Sequence, residues 1–235
     1  MYRFGSRIRY SETDEYGALS LIGIMNYLQD CSTFQSEDLG LGIACLANHN
    51  RAWWLSSWQI MIDRYPQLGE EVLISTWSYG FKGIYGYRNF TIQDQQGNYL
   101  VRADSTWFFF DTAAGSPVRA STEDIRGYEE GEERLPMPNL PRHIPIPQDY
   151  REGAPVVIGK HHLDSNHHVN NAQYVEIAKE SLPDDFVIRT IWVEYKKAAR
   201  LGDVVIPHIS RHEEGCTIVL CNPENIPYAV MRLQP

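Results

Sequence analysis

The chain has 235 residues, 43% of them hydrophobic, and a formal net charge of −9. That length suits one large or two small domains with a sizeable core. No apolar run approaches the length of a membrane span, and the acidic balance argues against nucleic acid as the main partner. Met1-Tyr2-Arg3-Phe4-Gly5 leads straight into a strand-like pattern, without the apolar core of a signal peptide or an Arg/Ser-rich transit stretch. Cys31, Cys45, Cys216 and Cys221 show neither metal-ligand nor disulfide-framework spacing. A reducing, cytoplasmic setting without membrane contact is expected.

In chain order, Thr13-Asp14-Glu15-Tyr16-Gly17 precedes a helix expected over 21–39. Leu21, Ile24, Met25, Leu28, Cys31 and Phe34 give that helix one apolar face. A strand containing Tyr65 then leads into Leu68-Gly69-Glu70-Glu71-Val72. Residues 71–79, 84–94 and 99–110 are rich in β-branched and aromatic types, with Gly97-Asn98 as a hairpin turn. Acidic Glu129, Glu130, Glu132 and Glu133 come next, then Pro136, Pro138, Pro141, Pro145 and Pro147. Such proline density disfavours helix and central strand and predicts an extended strap over about 130–150.

The chain then repeats itself. Leu163-Asp164 precedes a helix expected over 172–181, whose face carries Tyr174, Ile177, Ala178 and Leu182. A strand containing Tyr195 leads into Leu201-Gly202-Asp203-Val204-Val205. Strands follow over 186–196, 203–211, 215–221 and 226–233, with Glu214-Gly215 as a turn. One helix with four or more antiparallel strands per half is an α+β pattern. The expected organisation is a domain over 1–130, a linker over 131–150 and a domain over 151–235.

The segment Leu-Asp-Ser-Asn-His-His-Val-Asn-Asn at 163–171 is the most informative. In an extended run, Asp164, Asn166 and His168 share one face. They end at a helix start, where unpaired N–H groups and the dipole favour negative charge. A carboxylate, an amide, an imidazole and an oxyanion site together suit attack of water on a carbonyl. The competing reading is a helix cap, since Asn170 is a good N-cap type. His161, His162, Asp164, His167 and His168 are also possible zinc ligands. Adjacent residues of an extended chain point apart, so at most His162, Asp164 and His168 converge, and neither metal nor cofactor is expected.

This segment resembles the D-x-N-x-H-V-N-N motif of the acyl-carrier-protein thioesterases of plants and bacteria. The resemblance extends to Trp53 to Leu55, Ile62-Asp63-Arg64-Tyr65-Pro66, Thr76-Trp77, Ser105-Thr106-Trp107, Asp111 and Glu194-Tyr195-Lys196-Lys197. It implies two hotdog folds in tandem, each a curved sheet wrapped around its helix. It further implies hydrolysis of a fatty acyl thioester on acyl carrier protein, with Asp164, Asn166 and His168 catalytic. Asp164 would hold or activate the water, act through His168, or attack directly. The first half, with Tyr16 and Ala18 at the Asn166 and His168 positions, would shape the acyl pocket, with Trp53, Trp54, Trp58 and Phe34 as wall residues. The family usually carries Glu, or Glu-Cys, where this chain has Ala198-Ala199. Glu194, four residues earlier, is about 13 Å away along a regular strand. An acyl-coenzyme A thioesterase and a non-catalytic acyl-binding protein are the alternatives. An acidic carrier needs a basic patch, for which Lys196, Lys197 and Arg200 are the candidates. The expected assembly is a monomer or homodimer.

Overall fold

The computed structural model describes residues 1–128, 132–141, 143–164 and 167–235. Glu129, Glu130 and the candidate Asn166 lie outside the described residues. The chain forms two compact units, Met1–Ser56 with Ile62–Pro138 and Ser57–Met61 with Asn139–Pro235.

The first unit holds strands β1 (Tyr2–Arg7), β2 (Arg51–Ile62, whose Ser57–Met61 segment belongs to the other unit), β3 (Glu71–Lys82), β4 (Tyr85–Gln93), β5 (Tyr99–Asp111) and β6 (Ser116–Pro117). Its helices are α1 (Leu21–Asp38), α2 (Ile43–Asn48) and α3 (Thr122–Ile125). Neighbouring strands run antiparallel in the order β1-β3-β4-β5. The second unit holds β7 (Arg151–Glu152), β8 (Val156–Val157), α4 (Asn171–Lys179), β9 (Thr190–Tyr195), β10 (Val204–His212), β11 (Gly215–Cys221) and β12 (Pro227–Gln234). Its order is β9-β12-β11-β10-β7, with Ser57–Met61 of β2 against β9.

Helix α1 starts where Ser20 accepts the Gly23 N–H through its side chain. It ends at Gly40, whose φ of +71° lets Leu41 N–H reach Ser36 C=O (2.9 Å) and Gly40 N–H reach Glu37 C=O (2.9 Å). Leu21, Ile24, Met25, Leu28 and Cys31 are buried, each large aliphatic side chain contributing roughly 1.5–3 kcal/mol. Phe34 departs from expectation. It is 44% exposed and packs edge-on against Phe4, with ring centroids 5.4 Å apart, so it is not an interior wall residue. Helix α2 has no counterpart in the sequence reading.

Helix α4 spans Asn171–Lys179 rather than 172–181. Pro183 explains the early end, because it biases Leu182 away from helical backbone. The strand expected over 186–196 begins only at Thr190. Gly97 turns the β4–β5 hairpin with φ +84°. The β10–β11 turn is Glu213-Glu214, and Gly215 opens β11 where a Cβ would sit 2.1 Å from Leu233 C=O, an approach only glycine permits.

The proline-rich segment contains no helix or strand among its described residues. In the first unit, Trp77 Nε1 donates to Glu133 C=O (3.0 Å), Leu135 N–H to Asn89 Oδ1 (2.8 Å) and Arg134 Nη2 to Asp104 (2.8 Å). In the second, Ile144 is buried with Trp192, Val219, Cys221 and Val230, and Tyr150 stacks on His208 with centroids 4.0 Å apart.

Candidate active site

The helix-start loop is built twice, and each unit holds one copy. In the first unit a 3-10 turn at Tyr10–Glu12 leads to Asp14. Asp14 N–H donates to Ala18 C=O (2.8 Å), and Asp14 Oδ1 accepts from Tyr16 N–H (3.0 Å) and Ala18 N–H (3.1 Å). Thr13 bridges Leu19, and Ser20 N–H reaches back to Glu12 C=O (2.9 Å).

The second unit repeats this 150 positions later. A 3-10 turn at Lys160–His162 leads to Asp164, whose N–H donates to His168 C=O (2.8 Å) and whose Oδ1 accepts His168 N–H (3.2 Å). Leu163 bridges Val169, and Asn170 N–H donates to His162 C=O (2.9 Å). The flanking contacts match as well. Ile8 N–H donates to Glu70 C=O and Ile158 N–H to Asp203 C=O, both at 2.9 Å. Leu19 N–H donates to Pro66 C=O (2.7 Å) and Val169 N–H to Ala199 C=O (3.2 Å).

These bonds correct the expectation of an extended run. Asp164 and His168 meet because a tight turn folds the chain back, not because alternate side chains share a strand face. The carboxylate also has a structural duty, since Asp14 does the same work in a loop with neither Asn nor His. What sets the second loop apart is its chemistry: His168 stands for Ala18, Asn166 for Tyr16 and His167 for Gly17.

His167 has φ +60° where Gly17 has φ +75°. A left-handed backbone costs a residue with a Cβ roughly 1–2 kcal/mol. We therefore expect His167→Gly to stabilise the fold by about 1 kcal/mol, read as a higher urea midpoint. An unchanged or lower midpoint would show that the His167 ring makes compensating contacts.

Asn170 caps α4, accepting Ala172 N–H at 2.8 Å. The N–H of Asn171 makes no hydrogen bond among the described residues, which leaves an oriented donor at the positive end of the helix. Tyr195 hydroxyl donates to Asn171 C=O (3.0 Å) and Tyr174 hydroxyl accepts Ala199 N–H (2.8 Å). Burial pushes the Tyr174 phenol up to about 12, helped by Tyr228, Asp203 and Asp164. The sequence placed Tyr174 only on the helix face. Its role in anchoring the 198–199 segment depends on a contact between residues 25 apart.

His162 is held by a bond from Gly159 N–H to its Nδ1 (2.9 Å), and burial, with neighbouring His161, lowers its pKa. Among the described residues no three or more His, Cys, Asp or Glu side chains are placed to hold a metal.

Glu194 points away from α4. It accepts Ile144 N–H (3.2 Å), pairs with His143 (3.4 Å) and binds Lys196 Nζ. Its neighbour Tyr195 faces α4, so Glu194 is excluded from the site by direction. The same contact ties Lys196 down, whereas Lys197 and Arg200 are exposed and form no ion pair among the described residues. Ala198 is exposed and Ala199 fully buried. Trp53 and Trp54 occupy opposite faces of β2. Trp53 packs on Phe109 (4.7 Å) and Phe81 (6.0 Å), Trp54 on Phe110 (3.9 Å) and Phe108 (5.7 Å). They do not form one wall.

Two family models account for most of the chain: the acyl-ACP thioesterase N-terminal domain matches residues 1–128 and the C-terminal domain residues 158–224. The chain belongs to the acyl-ACP thioesterase family. Among curated relatives, the chloroplastic dodecanoyl-[acyl-carrier-protein] hydrolase of Cinnamomum camphora is 25% identical, over 87% of this chain and 58% of that protein. The chloroplastic oleoyl-acyl carrier protein thioesterase 1 of Arabidopsis thaliana is 26% identical, over 77% of this chain and 56% of that one. The chain thus spans little more than half the length of these relatives. The 12:0-ACP thioesterase from Umbellularia californica superposes with a TM-score of 0.88 at 19% identity, covering 99% of this chain and 96% of that one. An acyl-ACP thioesterase from Bacteroides thetaiotaomicron gives 0.88 at 22% identity, covering 99% and 96%. The fold of this acyl-ACP thioesterase family member is of the hotdog type. Among its described residues no helix is long and apolar enough to cross a membrane.

Proposed function

We propose that this family member hydrolyses the thioester of acyl-acyl-carrier-protein and releases free fatty acid. The observation that carries this reading is the duplicated loop. One scaffold occurs twice, and only the second copy adds His168 and Asn166 to the shared Asp. In that reading a water attacks the thioester carbonyl and His168 takes its proton. Asp164 holds His168 and the water, and Asn166 orients the carbonyl. The N–H of Asn171 and the α4 dipole stabilise the oxyanion. Its collapse breaks the C–S bond, and the proton goes to the departing thiolate. No cofactor enters this scheme. The half without the added groups, with Trp53 on one face, shapes the acyl pocket. In this reading the domains are about 1–130 and 151–235, joined by the strap, and the enzyme works in the cytoplasm as a monomer or homodimer. The four free thiols suit a reducing compartment. Appearance of free fatty acid from acyl-carrier substrate, at a rate well above that from acyl-coenzyme A, is the test. The reverse preference would make it an acyl-coenzyme A thioesterase.

Ala198-Ala199 favours a second reading, a non-catalytic acyl-binding protein. Tight binding of acyl carrier without turnover would support it.

The carrier docks at Lys197 and Arg200, since an acidic enzyme meeting an acidic partner needs local positive charge. Reversing both to Glu is expected to raise KM for acyl-carrier substrate several-fold at low salt, less at high salt, with kcat held. An unchanged KM at low salt would move the docking surface elsewhere.

A further inference from the structure

The two copies of the helix-start loop differ behind the loop as well as in it. The fourth residue of α4 is Tyr174, and the fourth of α1 is Ile24. The last residue of β9 is Tyr195, and the last of β2 is Ile62. One shared bond confirms that these strand ends correspond. Val169 N–H donates to Ala199 C=O, four residues after Tyr195, and Leu19 N–H donates to Pro66 C=O, four residues after Ile62. In the first unit both places are aliphatic core, with Ile24 0% and Ile62 3% exposed. In the second unit both carry a hydroxyl.

Each hydroxyl meets backbone beside the candidate catalytic residues. Ala199 N–H donates to the Tyr174 hydroxyl (2.8 Å), so Tyr174 holds the residue whose C=O takes the N–H directly after His168. The Tyr195 hydroxyl donates to Asn171 C=O (3.0 Å). The N–H of that same peptide, on Ala172, is taken by Asn170 Oδ1 (2.8 Å), so the plane is gripped from both edges. The stretch from His168 to Asn171 is thereby fixed at each end. The two rings meet edge-on, with centroids 5.8 Å apart. Burial keeps both phenols above the ordinary tyrosine value, so they act as neutral hydroxyls. The first unit lacks even the donor that Tyr174 holds, because Pro66, standing where Ala199 does, has no N–H. A loop of this shape therefore closes without either tyrosine. Burying a hydroxyl asks for a partner that isoleucine does not need, so the pair serves something other than the fold.

We propose that Tyr174 and Tyr195 are positioning residues that hold the His168–Asn171 stretch in the geometry thioester hydrolysis requires. The proposal rests on the hydrolase reading and deepens it, since both groups act through backbone rather than on the reacting atoms. Rates depend steeply on such placement, and a shift of about 1 Å can cost about 10²-fold.

Tyr195→Phe is the cleaner probe. It removes one oxygen and leaves Asn171 C=O its partner within α4, Val175 N–H. Tyr174→Phe strands the buried Ala199 N–H and should melt earlier. Steady-state rates on acyl-carrier substrate are read well below the lowest melt, in the wild-type and His168→Ala backgrounds. Tyr195→Phe should lower kcat about tenfold, with KM and Tm held. In His168→Ala its cost should shrink at least about threefold, because there is no longer an imidazole to place. A kcat for Tyr195→Phe within about twofold of wild type overturns the proposal. So does a fall of the same size in both backgrounds, which a support of the fold alone would give. In either case wild-type turnover leaves the hydrolase reading standing. A wild-type protein that hydrolyses no acyl-carrier substrate overturns both.

Discussion

His168→Ala is expected to cut thioester hydrolysis by about 10²–10⁴-fold, the usual worth of a positioned general base, while leaving Tm almost unchanged. The first unit supplies the reason for the second half of that statement. Ala18 occupies the same place in the same loop, and Asp14 still closes it through Ala18 N–H at 3.1 Å. An alanine at 168 therefore meets a scaffold already shown to accept one. The assay is single-turnover hydrolysis of acyl-carrier substrate beside a thermal melt. A rate within a few-fold of wild type, with an unchanged melt, would remove His168 from the chemistry. A collapsed melt would mean that its ring holds the loop in a way Ala18 does not.

Ala198→Glu is expected to raise the hydrolytic rate, toward the low end of about 10²–10⁴, because the surrounding residues are not shaped for the added group. The position is well placed. Ala199 C=O takes Val169 N–H (3.2 Å), so residue 198 adjoins the segment bonded directly after His168. Tyr174 fixes that segment from below through Ala199 N–H. Ala198 is exposed, so a longer side chain meets no packed core, whereas position 199 has no such room. The competing effect is like-charge repulsion. A second carboxylate near Asp164 raises one of the two pKa values, which shifts the rate profile toward higher pH. Single-turnover rates from pH 6 to 9 for both forms decide the matter. A flat or lower rate across that range would show that 198 is not the vacant position.

Much of this was legible in the sequence because the repeat is close. Asp14 and Asp164, and Leu68-Gly69 and Leu201-Gly202, marked equivalent places: each Asp N–H bonds the C=O four residues on, and Gly69 and Gly202 N–H bond Ile8 and Ile158 C=O. Gly69 and Gly202 even share a left-handed φ, +80° and +86°. The loop itself was misread as extended, because period-two reasoning holds only while the backbone stays in the β region. His167 at φ +60° breaks that alternation, and nothing in a histidine announces a left-handed turn. Its equivalent, Gly17, was the available signal. Lys196 differs from Lys197 and Arg200 in pairing with Glu194, two residues away.

The most direct test sets the two loops against each other. Asp164→Asn and Asp14→Asn each keep an acceptor oxygen for the loop N–H and each remove one negative charge. Release of free fatty acid from the same acyl-carrier substrate is measured for both and for wild type. The account predicts a loss of at least about 10²-fold for Asp164→Asn and a wild-type rate for Asp14→Asn. Equal rates in the two variants would contradict it, since the chemistry would then not belong to the second loop.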